Sequence, residues 1–262
     1  MSRLTLAAKR VRQTLVDFDN GVSVLTAIAK RKPELVFEVD DDLTVTIPNV
    51  AGARVPVYEV FAEDAYRLPW FTGDLREDVS AVDIGGHIGS FSMAFARLHP
   101  HCRVQTFEAS PTTYSFLARN ISGNGLADRV TVNNTAVSST IGTLQFADNA
   151  GGSGLNGITA PAGSTVIEIP CTTVAAAFAQ AGDRVDVVKI DTEGAEYDIV
   201  LGSDPSDWLG VQRVVMEYHP VDGQSWEELE EFFAKAGLTV VRQEPLTPRL
   251  GTVWLSRTPL PL

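Results

Sequence analysis

From about residue 79 onward, short and almost uninterrupted apolar runs alternate with stretches of helical spacing, and this pattern constrains the chain more than any other feature. The runs fall at 79–84, 103–107, 129–133, 185–190, 211–216, 238–242 and 252–255. A strand with one wet face alternates apolar and polar residues; a continuous apolar run must be covered on both faces. The expected architecture is therefore α/β, a Rossmann-like, mostly parallel sheet of seven strands with helices on both sides. The intervening helices are expected at 90–98, 111–120, 173–181, 195–201 and 225–236. The last is the best marked, because Ser225 and Glu228 form a capping box and Gly237 follows as a stop.

The preceding segment, residues 1–72, reads as an N-terminal appendage to a main domain at 73–262. Leu4, Ala7, Ala8, Val11, Leu15 and Phe18 have helical spacing, with Asn20-Gly21 as a stop signal. Strand-like runs follow at 35–39, at 43–47 beyond the acidic turn Asp40-Asp41-Asp42, and at 57–61. The connection between the third and fourth main strands is too long for a simple crossover. It holds a glycine-rich stretch, 148–157, between strand-like 143–146 and 165–169, which reads as a hairpin. Its tip, 148–164, is either a mobile lid over a ligand or a plain surface loop.

The chain has 262 residues, 44% of them hydrophobic and 21% charged, enough apolar material for a sizeable core; disorder, collagen and coiled coil are excluded. Its 33 acidic against 21 basic residues give a net charge of −12 with no basic cluster, which argues against nucleic-acid and membrane-surface partners and for a small neutral or cationic ligand. Two cysteines make no disulfide framework, and neither a signal-peptide apolar region nor an 18-residue apolar run is present, so a soluble cytoplasmic protein is expected. The apolar side of the first helix is a candidate homodimer contact.

The turn after the first main strand, Val82-Asp83-Ile84-Gly85-Gly86-His87-Ile88-Gly89-Ser90-Phe91, sets glycines between a buried strand and a helix. Glycines there let the backbone approach a ligand at the carboxyl edge of the sheet. About 20 residues on, Glu108 ends the second strand, where a carboxylate can accept hydrogen bonds from both ribose hydroxyls of an adenosine. The plainer reading is a tight turn plus an ordinary surface glutamate, and His87 either touches a cofactor or fills the helix cap. The pattern alone serves nicotinamide and S-adenosylmethionine (SAM) cofactors equally, although G-x-G-x-x-G is not matched.

Phe107-Glu108-Ala109-Ser110-Pro111, Val132-Asn133-Asn134-Thr135-Ala136 and Lys189-Ile190-Asp191-Thr192-Glu193-Gly194-Ala195-Glu196 follow that turn in order. Together the four blocks resemble the FkbM family of SAM-dependent methyltransferases over about residues 79–220. Gly86-His87 stands where the family has Ala-Asn, and Ala109-Ser110-Pro111 departs at the first proline. The resemblance implies the class I SAM methyltransferase fold and methyl transfer to a hydroxyl of a natural product, polyketide or sugar. It also implies a last strand that is antiparallel, and a SAM site lined by Asp83, Gly85, Gly86, His87, Gly89, Ser90, Glu108, Ala109, Asn134 and Ala136.

An alcohol must lose its proton as it attacks the methyl group, which calls for a base, a metal, or both. Asp191, at the end of the fourth strand, and Glu217 and His219, at the end of the fifth, should meet in one crevice. His219 is the expected base, through an imidazole of near-neutral pKa. Asp191 and Glu217 either orient it or offer oxygen ligands to Mg²⁺. Lys189 is expected to pair with Glu193 or Glu196, His99 and His101 to be solvated, and Trp70, Trp208 and Trp226 to be packing residues. Two alternatives stand beside methyl transfer. A nicotinamide-dependent oxidoreductase lacks its expected Tyr-x-x-x-Lys motif here; a catalytically silent SAM-fold binding protein would have no need of the strand-end polar residues.

Overall fold

In the computed structural model, which describes residues 3–148, 166–182 and 184–260, the chain opens with two helices, α1 (Arg3–Val16) and α2 (Gly21–Ala29). Asn20-Gly21 is thus the start of a second helix rather than a stop. The chain doubles back there so tightly that a Cβ on Gly21 would lie 1.9 Å from the Thr14 carbonyl oxygen. A hairpin follows, β1 (Glu34–Asp40) and β2 (Leu43–Pro48), paired antiparallel as the acidic turn suggests. The run at 57–61 is not a strand. It belongs to α3 (Ala51–Phe61), whose buried Ala53, Val57 and Val60 recur at helical spacing. A five-residue β-branched and aromatic run cannot by itself be told from one turn of buried helix. A short α4 (Leu68–Thr72) completes the segment.

The remaining elements are β3 (Ser80–Ile84), α5 (Ser90–Leu98), β4 (Arg103–Phe107), α6 (Pro111–Gly123), β5 (Val130–Asn133), β6 (Ala136–Val137), β7 (Gly142–Ala147) and β8 (Val166–Thr172), then α7 (Val174–Ala181), β9 (Val187–Ile190), α8 (Glu196–Leu201), β10 (Arg213–Tyr218), α9 (Trp226–Lys235), β11 (Thr239–Thr247) and β12 (Leu250–Ser256). Seven strands form the central sheet in the order β11-β12-β10-β9-β3-β4-β5. Pairing is parallel from β10 to β5, and β12 runs antiparallel to both β10 and β11. From β3 the chain moves outward through β4 and β5, then returns to β9 on the other side. That reversal opens a crevice beyond the carboxyl ends of β3 and β9, the usual ligand position in such sheets.

Successive residues explain the continuous apolar runs. Ala81, Val187 and Val215 face one core while Val82, Val188 and Val214 face the other. The first core also takes in Phe18, Phe37, Val57 and Phe71, so the N-terminal segment covers one face of the sheet. Asn120 of α6 and Asn124 at its C-cap fasten it, their side chains exchanging hydrogen bonds with the backbone of Thr46 and Thr44 as a neighbouring strand would. Helix α1 buries Gln13 and Thr14, bonded to Glu63 and Tyr58, and leaves Leu4, Val11 and Leu15 exposed.

The capping box of α9 and the left-handed Gly237 (φ 78°) are both present. The hairpin β7–β8 forms as expected and pairs with β6 in a separate three-stranded sheet. The lid expected at 148–164 lies, apart from Asp148, outside the described residues. Among the described residues no helix is long and apolar enough to cross a membrane.

Candidate active site

A cavity of about 720 Å³ occupies the crevice, within the range typical of small-molecule sites. Gly85, Gly86, His87, Ser90, Glu108, Ala109 and Ala136 line it, with Asp191 and Glu217 at the ends of β9 and β10. Asp83, Gly89 and Asn134, expected on the wall, stand behind it among the supporting contacts.

Asp83 is fully buried in the body of β3, in register with Lys189 of β9. Its Oδ2 accepts from Ser92 Oγ at 2.6 Å and its Oδ1 lies 3.2 Å from Lys189 Nζ. Strand register therefore gives Lys189 to Asp83 rather than to Glu193 or Glu196. The ammonium also donates to the Gly85 carbonyl at 2.5 Å, so the pair holds the turn from below. Asn134 Nδ2 donates to the carbonyls of Glu108 (2.9 Å) and Ala109 (3.2 Å), fixing the end of β4.

The glycines answer first to the protein. A Cβ on Gly85 (φ 78°) would sit 1.9 Å from the Asp191 carbonyl oxygen, and one on Gly86 2.2 Å from Thr106 Cγ2. On Gly89 (φ 94°) it would meet Leu117 Cδ1 at 2.9 Å. Expected as room for a ligand, these glycines let the turn nest against β9, β4 and α6. The Gly85 and Gly86 amides both donate to the Phe107 carbonyl.

Glu108 is 8% exposed, with Oε2 accepting from the His87 amide and Oε1 from the Ser110 amide, both at 2.8 Å. Burial outweighs these bonds and pushes its carboxyl up to about 7. His87, at φ 49°, is held neutral by burial, which takes its pKa down to about 4. Among the described residues His87 Nδ1 and Ser90 Oγ are buried without a hydrogen-bond partner, and both residues line the cavity beside Glu108. Such orphaned polar atoms in a cavity wall suit a polar ligand.

At the other end, Asp191, Glu217 and His219 bring one ligand atom each within 4.8 Å of one another. His219 Nδ1 is 3.1 Å from Glu196 Oε1, and Nε2 is 3.6 Å from both Glu193 and Glu217. Burial works against a charged ring, but the Glu196 bond and the carboxylates of Glu196, Asp191 and Glu217 prevail and hold His219 up at about 9. The near-neutral imidazole expected from sequence is thus an imidazolium at neutral pH. Glu196 is itself fixed by the amides of Thr192 and Gly194. Glu217 is pushed up to about 8 by burial and by Asp191. His99 is buried against Thr72 rather than solvated.

Two residues of this wall escape a reading of the sequence. Glu59 of α3 lines the cavity, pushed up to about 7 by burial and Asp191; the strand reading of 57–61 conceals it. Tyr66 donates its hydroxyl to Asp191 Oδ2 at 3.0 Å, and no local motif marks it. Of the five non-glycine residues at positive φ among those described, His87 and Glu193 line the cavity and Asp64 and Arg67 flank Tyr66. Strain of this kind gathers at functional sites.

A doubly wound sheet with a glycine turn after its first strand, an acid closing its second and polar strand ends across the switch point is the class I methyltransferase architecture. The sequence pattern of the Methyltransferase FkbM domain matches residues 83–238, more than half of the chain, and the chain belongs to that family. It is 26% identical over 216 residues to the methyltransferase sdnD of Sordaria araneosa, covering 71% of this chain and 81% of that protein. It is 28% identical over 235 residues to the 31-O-demethyl-FK506 methyltransferase FkbM of Streptomyces tacrolimicus, covering 78% and 88%. A crystal structure of a methyltransferase FkbM from Methylobacillus flagellatus KT is similar at 16% identity and a TM-score of 0.48, across 71% of this chain and 45% of that longer one.

Proposed function

We propose that the protein transfers a methyl group from SAM to a hydroxyl of a small-molecule natural product. The observation that carries this reading is one continuous cavity reaching from Glu108 to Asp191 and Glu217, with His219 behind them. The name of the Streptomyces relative describes an O-demethyl acceptor, which fits transfer to oxygen. SAM supplies an activated methyl group on a cationic sulfur, so the protein's part is alignment, exclusion of water and removal of one proton.

Glu108 accepts hydrogen bonds from the ribose hydroxyls, beside the unpartnered His87 Nδ1 and Ser90 Oγ, with Gly85, Gly86, Ala109 and Ala136 as walls. Acidic side chains at the far end suit a cationic ligand centre electrostatically. Of the cluster, Asp191 and Glu217 reach the cavity wall while His219 stands behind Glu217 and Glu193. Glu217 accordingly takes the acceptor's proton and becomes neutral, the His219 imidazolium against it favouring the ionised carboxylate beforehand, and Asp191 orients the acceptor.

A divalent cation is a second reading, favoured by the spacing of the three ligand atoms and by the number of carboxylates facing one another. Mg²⁺ there would be held by the oxygens of Asp191 and Glu217 and would acidify the acceptor hydroxyl. The apolar side of α1, exposed as it is, remains our proposal for a homodimer contact.

Calorimetry with SAM and its demethylated product, then a screen of hydroxylated compounds for a mass gain of one methylene, tests the main reading. Absence of SAM binding, or methyl transfer to nitrogen or carbon only, refutes it. A chelator silences the cation-dependent form and added Mg²⁺ restores it; activity indifferent to both refutes the metal.

A further inference from the structure

Asp191 faces a difficulty of its own making. Its charge helps to push up the carboxyls of Glu59, Glu193 and Glu217, so the same three groups repel it. The Lys189 ammonium and the His219 imidazolium attract it in turn, and a hydrogen-bond donor fixes which way its oxygens point. Tyr66 provides one, from 125 residues away in the chain, at 3.0 Å from Oδ2.

Tyr66 is itself held on every side. Trp254 of β12 donates its indole N–H to the Tyr66 carbonyl at 2.8 Å, and Phe91 of α5 meets the phenol ring edge-on at 5.4 Å. On its flanks Asp64 (φ 46°) and Arg67 (φ 51°) occupy the left-handed region, which non-glycine residues adopt at a cost. The turn is closed by the Arg67 amide on the Asp64 carbonyl and by the Leu68 amide on Asp64 Oδ1. Arg67 also reaches β11, where Nε donates to Glu244 at 2.8 Å. The antiparallel strands at the sheet's edge thus force a conformation that 64–67 would not choose alone. Its result is a phenol aimed at Asp191. Burial keeps that phenol from ionising, its pKa lying well above the ordinary value, so it stays a donor across the working pH range.

We propose that Tyr66 is a positioning residue for methyl transfer, its hydroxyl holding the Asp191 carboxylate against Glu217 and His219 in the arrangement the acceptor meets. The proposal rests on the methyl-transfer reading above for its purpose, and on the Tyr66–Asp191 contact for its substance. The N-terminal segment is, on this view, part of the active site as well as a cover for the sheet.

The test replaces Tyr66 with phenylalanine in the full chain, labelled with carbon-13 at its aspartate side-chain carboxyls and studied without ligand. The Asp191 signal is assigned by its loss in Asp191→Asn. In Tyr66→Phe that signal is expected to move, while SAM affinity stays within about twofold. With any acceptor the parent methylates, kcat should fall about tenfold with KM little changed, because the bond acts on the reacting arrangement rather than on binding. On the Asp191→Asn background, Tyr66→Phe should then add little. An unmoved Asp191 signal overturns the proposal, as does full additivity. If Tyr66→Phe fails to fold, the reciprocal measurement decides: in Asp191→Asn the Tyr66 phenol, followed by ultraviolet absorbance, should titrate at lower pH, and an unchanged titration overturns the contact. A parent that binds no SAM refutes the methyl-transfer reading, whereas the Asp191 signal still reports on the contact itself.

Discussion

Replacing Glu108 with glutamine should abolish a proton release that accompanies SAM binding in the parent protein. In the free protein burial raises the Glu108 carboxyl to about 7 despite the amides of Ser110 and His87. Ribose hydroxyls donate to a carboxylate and favour its ionised form, so binding lowers this pKa and expels the proton. Affinity must therefore tighten as pH rises. If only the ionised form binds, a pKa of about 7 weakens SAM by about tenfold between pH 8 and pH 6, or about 1.4 kcal/mol. Close to half a proton is released at pH 7 and nearly a whole one at pH 6. Calorimetry in buffers of different ionisation enthalpy counts these protons. The ligand's own amino group titrates nearby, so the diagnostic quantity is the difference between the parent and Glu108→Gln. Equal proton release in the two proteins would refute the ribose assignment. The same shift has a folding counterpart of definite sign. A carboxyl raised from 4.5 in the unfolded chain to about 7 when folded makes stability fall as pH rises through that window, by at most about 3 kcal/mol.

Glu217→Gln should retain SAM binding and lose about 10²- to 10⁴-fold in kcat, as expected for a missing proton acceptor; turnover at the parent rate would remove Glu217 from that role. In the parent, kcat should rise with pH toward the pKa of about 8 that the ionised Glu217 requires, and a pH-independent rate between 6 and 8 would argue against it. Lys189→Met should cost about 3–5 kcal/mol in denaturant unfolding, because it strands Asp83 as an unpaired buried charge. A loss below about 1 kcal/mol would mean that Asp83 does not depend on that ammonium.

The seven strands, the helix at 90–98 and the capped α9 could be located in the sequence because each depends on local chemistry. Burial on both faces demands a continuous apolar run, and a capping box needs only Ser225 and Glu228. Gly85, Glu108, Asp191 and Glu217 were placed at the crevice because strand ends in a doubly wound sheet converge by topology. What could not be located depends on which partner lies opposite. Lys189 belongs to Asp83 through the register of β9 with β3, and Asp83, Gly89 and Asn134 support the wall instead of forming it. The charge on His219 is set by Glu196, the first residue of α8, whose carboxylate is held by the amides of Thr192 and Gly194. Glu59 and Tyr66 reach Asp191's surroundings only because the N-terminal segment folds across the sheet and β11 and β12 hold its turn. Periodicity and capping act within a few residues of one another, so the main sheet and the place of its crevice can be read from the chain alone. The protonation states and the second wall arise from contacts between separate elements, 23 residues apart for His219 and Glu196 and 125 for Tyr66 and Asp191, which no local pattern encodes.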